Sequence, residues 1–95
     1  MSDEQDYNAV ESEPTQTINL LTYLGNALVS ADGEVEVEWS RSGSAVKLTL
    51  YVPSPDMGKV IGKGGRIANA IRSLVRVAGA KEGVETTVEF SDTRQ

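Results

Sequence analysis

The sequence predicts an α+β domain in which three helices cover one face of a three-stranded sheet, in the order α-β-β-α-α-β. Three observations carry that prediction. Apolar residues recur at helical spacing in separate stretches, other stretches alternate strictly between polar and apolar, and glycine-containing breaks fall between them.

The chain opens on MSDEQDYNAVESEPTQT, residues 1–17, which hold five acids, no base and almost no apolar side chains. Such a segment cannot bury enough surface to offset the entropy of ordering, so it reads as a disordered acidic N-terminal tail. The folded domain is expected over residues 18–92, with 93–95 as a short C-terminal tail. Ile18, Leu21, Leu24 and Leu28 form the stripe of a first helix, with Thr15 or Thr17 available as its N-cap. Gly25 weakens that helix by about 1 kcal/mol relative to Ala, which marks a close packing contact.

Ala31-Asp32-Gly33 breaks the helix, and Glu34 to Trp39 alternates acid with apolar, so that Val35, Val37 and Trp39 face inward. Ser40 to Ser44 has turn composition, and Ala45 to Val52 alternates again with Val46, Leu48, Leu50 and Val52 inward. The two segments read as a hairpin. Ser54-Pro55-Asp56 carries a helix-start signature: a capping Ser, Pro at the first helical position and an acid in the first turn. Met57, Val60 and Ile61 form a short apolar face behind it, and Gly62-Lys63-Gly64-Gly65 interrupts the helix. A further helix runs from Arg66 to about Ala80, buried through Ile67, Ile71, Leu74, Val75 and Ala78. After Gly83, Val84 to Phe90 alternates as the third strand. The outward sheet face collects Glu34, Glu36, Glu38, Lys47, Thr49, Tyr51, Glu85, Thr87 and Glu89, and its five acids and one base make it a poor surface for nucleic acid.

Ninety-five residues fit one small domain, which excludes a two-lobed enzyme with a deep cleft. Histidine and cysteine are both absent, which removes imidazole acid–base chemistry, thiolate nucleophiles, disulfides and zinc sites. No remaining pair of carboxylates, hydroxyls or lysines has catalytic spacing, so the chain reads as non-catalytic, with neither cofactor nor metal. The N-terminus is acidic, and the longest apolar-rich stretch, Ile18 to Val29, is interrupted by Thr22, Gly25 and Asn26. Neither a signal peptide nor a membrane span is expected, and the protein should be cytoplasmic.

The net charge of −5 argues at first against a nucleic-acid partner. Its distribution argues the other way. Between Met57 and Lys81 stand six bases, Lys59, Lys63, Arg66, Arg72, Arg76 and Lys81, and no acid. A phosphate approaching Gly62-Lys63-Gly64-Gly65 would meet backbone it can touch closely, free amides at the start of the next helix and the positive end of that helix's dipole. Lys63 and Arg66 add charge at the same point, and Asn69, Arg72 and Arg76 extend the polar side along the helix, which suits a sugar–phosphate strand better than a lone nucleotide. The P-loop and the dinucleotide fingerprint both fail: Lys63 is followed by Gly64 rather than Ser or Thr, and Ile67 stands where the fingerprint needs Gly.

Val60-Ile61-Gly62-Lys63-Gly64-Gly65, followed by Arg66-Ile67-Ala68 and Ile71, resembles the VIGxxG core of KH domains, whose GxxG loop clamps about four backbone nucleotides of a single strand. The element order matches the type II form of that fold. Asp56 to Lys63 and Arg66 to Ala68, continuing to Ala80-Lys81-Glu82-Gly83, resemble the KhpA-type bacterial stand-alone KH proteins, and the similarity spans residues 18–92. The resemblance implies a single type II KH domain that binds single-stranded RNA. Gly62, Lys63, Gly64 and Gly65 would form the backbone loop, Lys59 and Arg66 would flank it, and Arg72 and Arg76 would continue the surface. It also implies a cytoplasmic protein, an RNA chaperone, that partners a second, larger KH-containing protein and is linked to cell shape and cell-wall biogenesis. Many KH domains place Ile three residues after the last loop glycine, whereas that position here is Ala68 and the Ile falls at Ile67. Of the five aromatics, Tyr7 lies in the tail, Tyr23 in the first helix, and Trp39 and Phe90 read as core, so bases are expected in an aliphatic groove rather than on stacking platforms. The alternative reading is a protein-interaction adaptor that uses the same fold mainly as a homo- or heterodimer surface.

Overall fold

The structure, a computed structural model, describes residues 12–92. Residues 1–11 of the expected N-terminal tail and the C-terminal tail, 93–95, lie outside the described residues. Helix α1 (Thr15–Leu28) leads into β1 (Glu36–Ser42) and β2 (Ala45–Val52). A 3₁₀ turn at Ser54–Asp56, α2 (Met57–Ile61), a second 3₁₀ turn at Lys63–Gly65, α3 (Arg66–Lys81) and β3 (Glu85–Asp92) complete the domain. The order is the α-β-β-α-α-β expected from the sequence, and the fold is α+β and KH-like.

The sheet order is β1-β2-β3. β1 and β2 pair antiparallel with Trp39 opposite Leu48, and β2 and β3 pair parallel with Leu48 opposite Val88. Parallel neighbours cannot be joined by a hairpin and need a crossover. The α2–turn–α3 segment supplies it, so the glycine-rich stretch lies in the middle of that crossover.

β2 is the central strand and carries the heart of the core. Val46, Leu48, Leu50 and Val52 are buried together with Leu21 of α1, Val60 of α2, and Ile71 and Val75 of α3. Each such side chain contributes about 1.5–3 kcal/mol by leaving water. Gly25 sits where a Cβ would lie 3.0 Å from Leu50, so the close contact expected at this glycine brings α1 onto the sheet. On the open face, Lys47 pairs with Glu89 at 3.6 Å and the Tyr51 hydroxyl donates to Glu38 at 2.8 Å.

Several expectations are corrected. α1 begins at Thr15, inside the stretch read as tail, and neither Thr caps it with its side chain. Its N-terminal amides are met from far along the chain: Gln16 N and Thr17 N donate to the Glu82 carboxylate at 3.1 and 2.7 Å, and the Thr17 hydroxyl donates to it at 2.5 Å. Ser40, Arg41 and Ser42 belong to β1, because Gly43 takes positive φ and lets Gly43-Ser44 reverse the chain alone. Glu34 and Val35 precede that strand. Ser54 makes no side-chain cap, and Ser54–Asp56 is a 3₁₀ turn ahead of α2. Trp39 and Phe90 are half-buried at the margins of the core rather than within it. Leu74, read as core, is 50% exposed, because the buried face of α3 is Ala68, Ile71, Val75 and Gly79 and Leu74 falls on its flank.

Candidate functional site

The crossover turns sharply between α2 and α3, and glycine is what allows the turn. Gly62 has φ 77° and ψ 169°, and a Cβ there would lie 2.6 Å from Ile67 Cγ1 and 2.9 Å from the Ile67 amide nitrogen. Both the conformation and the space demand glycine. Gly64 (φ 64°) and Gly65 (φ 79°) are also left-handed, but around them a Cβ would meet nothing within 4 Å. Backbone bonds brace the corner: Gly62 N donates to Gly58 O at 2.9 Å and Gly65 N to Gly62 O at 3.1 Å. Ile67, half-buried, packs over Gly62, while Ala68 takes the fully buried position one residue on, so the departure at these two positions serves the corner's packing.

α3 starts at Arg66 with Gly65 as N-cap and no side chain bonded to its first amides. Arg66 N donates to Lys63 O in the turn ahead of the helix, and with no side chain over its first turn the sixteen-residue helix presents the positive end of its dipole to an approaching anion. Lys63, Gly64 and Arg66 are exposed at this point.

The flanking bases are not equivalent. Lys59 Nζ lies 3.2 Å from Asp56 Oδ1 and donates to Ser30 Oγ at 3.1 Å. Asp56 is buried, 3% exposed, and accepts the Ser30 hydroxyl at 2.8 Å. That hydroxyl, set against the opposing effect of burial and joined by Lys59, holds the Asp56 carboxyl below the ordinary aspartate range. Lys59 is thus half committed to an internal acid that stands one residue outside the acid-free segment. Arg72 is held more firmly: its Nε donates to Val88 O on β3 at 3.2 Å, its Nη1 to Asn69 Oδ1 at 3.2 Å, and its guanidinium carbon stands 5.1 Å from the centre of the Phe90 ring. Arg76 follows one turn later on the same flank and is exposed. The structure therefore brings Gly62, Lys63, Gly64, Gly65 and Arg66 together at one corner, with Lys59 behind it and Arg72 and Arg76 along the β3 side of α3.

Sequence reasoning passed over Asp56, Ser30 and Phe90 as partners of these bases. Asp56 had a local signal, its i,i+3 spacing to Lys59; Ser30 and Phe90 are brought in by tertiary structure alone.

The opposite flank of α3 has a different character. Leu74 and Val77, 50% and 57% exposed, join Leu20, Gln16, Ala78 and Lys81 around an apolar groove of 370 Å³ between α3 and α1. Among the described residues, no group of acids, histidines or cysteines is arranged to hold a metal ion, and no helix is long and apolar enough to cross a membrane.

A family model described as KhpA/KhpB, KH domain matches residues 18–90. The chain is 43% identical over 71 residues to the RNA-binding protein KhpA of Clostridium acetobutylicum, covering 75% of this chain and 95% of the relative. It is 44% identical over 71 residues to the RNA-binding protein KhpA of Caldanaerobacter subterraneus, again covering 75% and 95%. The RNA-binding protein KhpA of Treponema pallidum is 40% identical over 78 residues, covering 82% of this chain and 98% of the relative. No solved structure matches the chain.

Proposed function

The chain belongs to the KhpA/KhpB KH-domain family, and from that premise we propose that it is a non-catalytic protein that binds short single-stranded RNA by gripping the strand's backbone at Gly62–Gly65. The observation that carries this reading is the start of α3, covered by no side chain, behind an exposed glycine corner. Phosphate oxygens are drawn to the positive end of the α3 dipole, where no side chain covers the first turn, and Gly64 and Gly65 leave room for the backbone to come close. Lys63 and Arg66 neutralise the charge, Lys59 adds to the field from behind Asp56, and Arg72 and Arg76 continue the surface along α3. Arg72, anchored on β3 and Phe90, offers its remaining donors from a fixed position, whereas Lys63 and Arg66 are free to follow the strand. The relatives' printed names support RNA over DNA, and the family resemblance alone extends the proposal to a cytoplasmic RNA chaperone with a part in cell shape and cell-wall biogenesis.

A direct test is fluorescence anisotropy of a labelled single-stranded RNA with the wild type and a Lys63→Asp, Gly64→Asp double variant. Aspartate tolerates the left-handed conformation at position 64 better than most residues, so the fold should survive the change. Binding should be lost, and equal affinities would sink the proposal. If two or three phosphates are neutralised, the log–log salt slope for the wild type should be about −1.4 to −2.1.

A second reading is favoured by the Leu20–Leu74–Val77 groove: the fold also acts as an adaptor, docking a second copy of itself or a larger KH-containing protein. Groove and basic flank lie on opposite sides of α3, so a partner over one leaves the other open.

A further inference from the structure

The solvent side of α3 carries charge and apolar surface in a fixed order. Lys81, Val77, Leu74 and Arg66 fall on one stripe, at spacings of four, three and eight residues, and Lys63 stands just ahead of it in the corner. Lys81, Arg66 and Lys63 are exposed and enter no ion pair among the described residues, in contrast to Lys47 and Lys59. Between these cations, Leu74 and Val77 are 50% and 57% exposed and line the groove that Leu20 closes from α1.

The chain that precedes α1 holds complementary groups in matching order. Residues 1–11 contain Asp3, Glu4, Asp6 and Glu11 and no base, with Tyr7, Ala9 and Val10 ahead of Glu11. They are rooted at the C-terminal end of α3: Gln16 lines the groove beside Lys81, Glu82 binds the amides of Gln16 and Thr17, and the Ser12 carbonyl accepts from Arg41 at 2.7 Å. The spacings agree as well. From Lys81 it is about 6–10 Å along the helix to Val77 and Leu74, and about 22 Å to Arg66. From Glu11 an extended chain covers about 7–13 Å to Ala9 and Tyr7, and about 23–27 Å to Glu4 and Asp3. We infer that residues 1–11 dock along α3, with Glu11 at Lys81, Ala9 and Tyr7 over Val77 and Leu74, and Glu4 and Asp3 at Arg66 and Lys63. The docking stands apart from the RNA-binding function proposed above, but its consequence rests on it. Two carboxylates then stand where a phosphate would, and a tethered segment competes for the corner at an effective concentration of about millimolar. The family match starts at residue 18, so this competitor lies outside the part of the chain shared with the family.

The chain has no cysteine, so a nitroxide on a Ser2→Cys variant of the full chain marks a single place. At low salt the amide resonances of residues 63–66 should lose intensity to the label, and those of Thr87 and Glu89 on the open sheet face should keep it. The loss should vanish when Asp3→Asn, Glu4→Gln, Asp6→Asn and Glu11→Gln are combined, or in about 1 M salt, where charges are screened beyond about 3 Å. A corner untouched by the label, or a loss spread evenly over helices and sheet, would overturn the inference. So would an equal loss when label and isotope are carried by different chains, because the segment would then lie on a second copy. In anisotropy titrations at low salt the neutralised variant should bind RNA roughly three- to tenfold more tightly than the wild type, as follows if the segment covers the corner about two-thirds to nine-tenths of the time. Equal affinities, or the same gain from removing charge elsewhere with Asp32→Asn, Glu34→Gln and Glu85→Gln, would overturn the competition. If neither wild type nor variant binds RNA, the RNA-binding proposal falls and the label alone decides the docking.

Discussion

Replacing Glu82 would report on a helix cap supplied from the other end of the domain. The residue follows α3, yet its carboxylate accepts Gln16 N, Thr17 N and Thr17 Oγ at the start of α1. Loss of a capping oxygen costs about 1 kcal/mol. Thr17 is fully buried, so in a Glu82→Ala variant water does not readily replace the lost acceptor, and an unmet buried group adds about 1–2 kcal/mol. The expected loss of about 2–3 kcal/mol lowers the thermal midpoint by roughly 10–20 °C in a domain of this size. Glu82→Gln keeps an acceptor and loses only the charge at the helix terminus. With the carboxylate partly exposed, that change is worth about 0.5 kcal/mol, or roughly 2–4 °C.

The charge also makes the effect depend on pH. Burial pushes the Glu82 carboxyl up, but the hydrogen bonds from Thr17 and Gln16 and the charge of Arg41 outweigh it, so the group titrates below its ordinary value of 4.5. A folded pKa below the unfolded one gives stability that is complete above the unfolded value and lost as the pH falls through the folded one. The advantage of the wild type over Glu82→Gln should therefore be full near neutrality and shrink below pH 4.5. Thermal or urea unfolding of the three proteins at neutral and acid pH measures all of this. An unchanged midpoint for Glu82→Ala at neutral pH, or a Gln gap that persists undiminished in acid, would refute the reasoning. RNA affinity should not move, since α3, sixteen residues long, holds Glu82 about 24 Å from the glycine corner.

The remaining expectations concern the two flanks of α3. Arg72→Lys loses the Nε donor to Val88 O and the planar group over Phe90, so it should weaken RNA binding about as much as Arg72→Ala, roughly 3–10-fold; full rescue by Lys would show that a point charge suffices. On the other flank, a Leu74→Asp, Val77→Asp double variant should abolish concentration-dependent association measured by light scattering. It should leave the thermal midpoint nearly unchanged, because both side chains are at least half exposed. A wild type that stays monomeric over the whole concentration range would remove the self-association half of the adaptor reading.

The parts legible from the residues were those whose cause is local. Ala45 to Val52 alternates because the two faces of β2 meet different surroundings, and the register follows from the pattern. The glycine corner was legible because left-handed backbone at Gly62, Gly64 and Gly65 is a property of those residues themselves. The start of α1 was not: its cap is Glu82, sixty-five residues from Thr17, and no window of sequence holds both. Leu74 was misplaced because helical spacing identifies a stripe without locating its centre, and Ala68 and Gly79, the small residues that let α3 approach the sheet, shift that centre away from it. The unequal standing of the bases was hidden for a similar reason. Lys59 and Arg72 count alike in a charge tally, but the fold ties one to a buried acid and lays the other on an aromatic ring.

The bond from Arg72 to Val88 O also bears on how the molecule behaves in a crowded solution. β3 is an edge strand, and an edge strand with unmet carbonyls is a template on which another chain can add a strand of its own. Here one of those carbonyls, midway along the strand, is already taken by a bulky cation that reaches across from α3. A side chain proposed to meet RNA thus also occupies an acceptor that an added strand would need. An arginine at this position thus answers to the edge of the sheet as well as to the flank of α3.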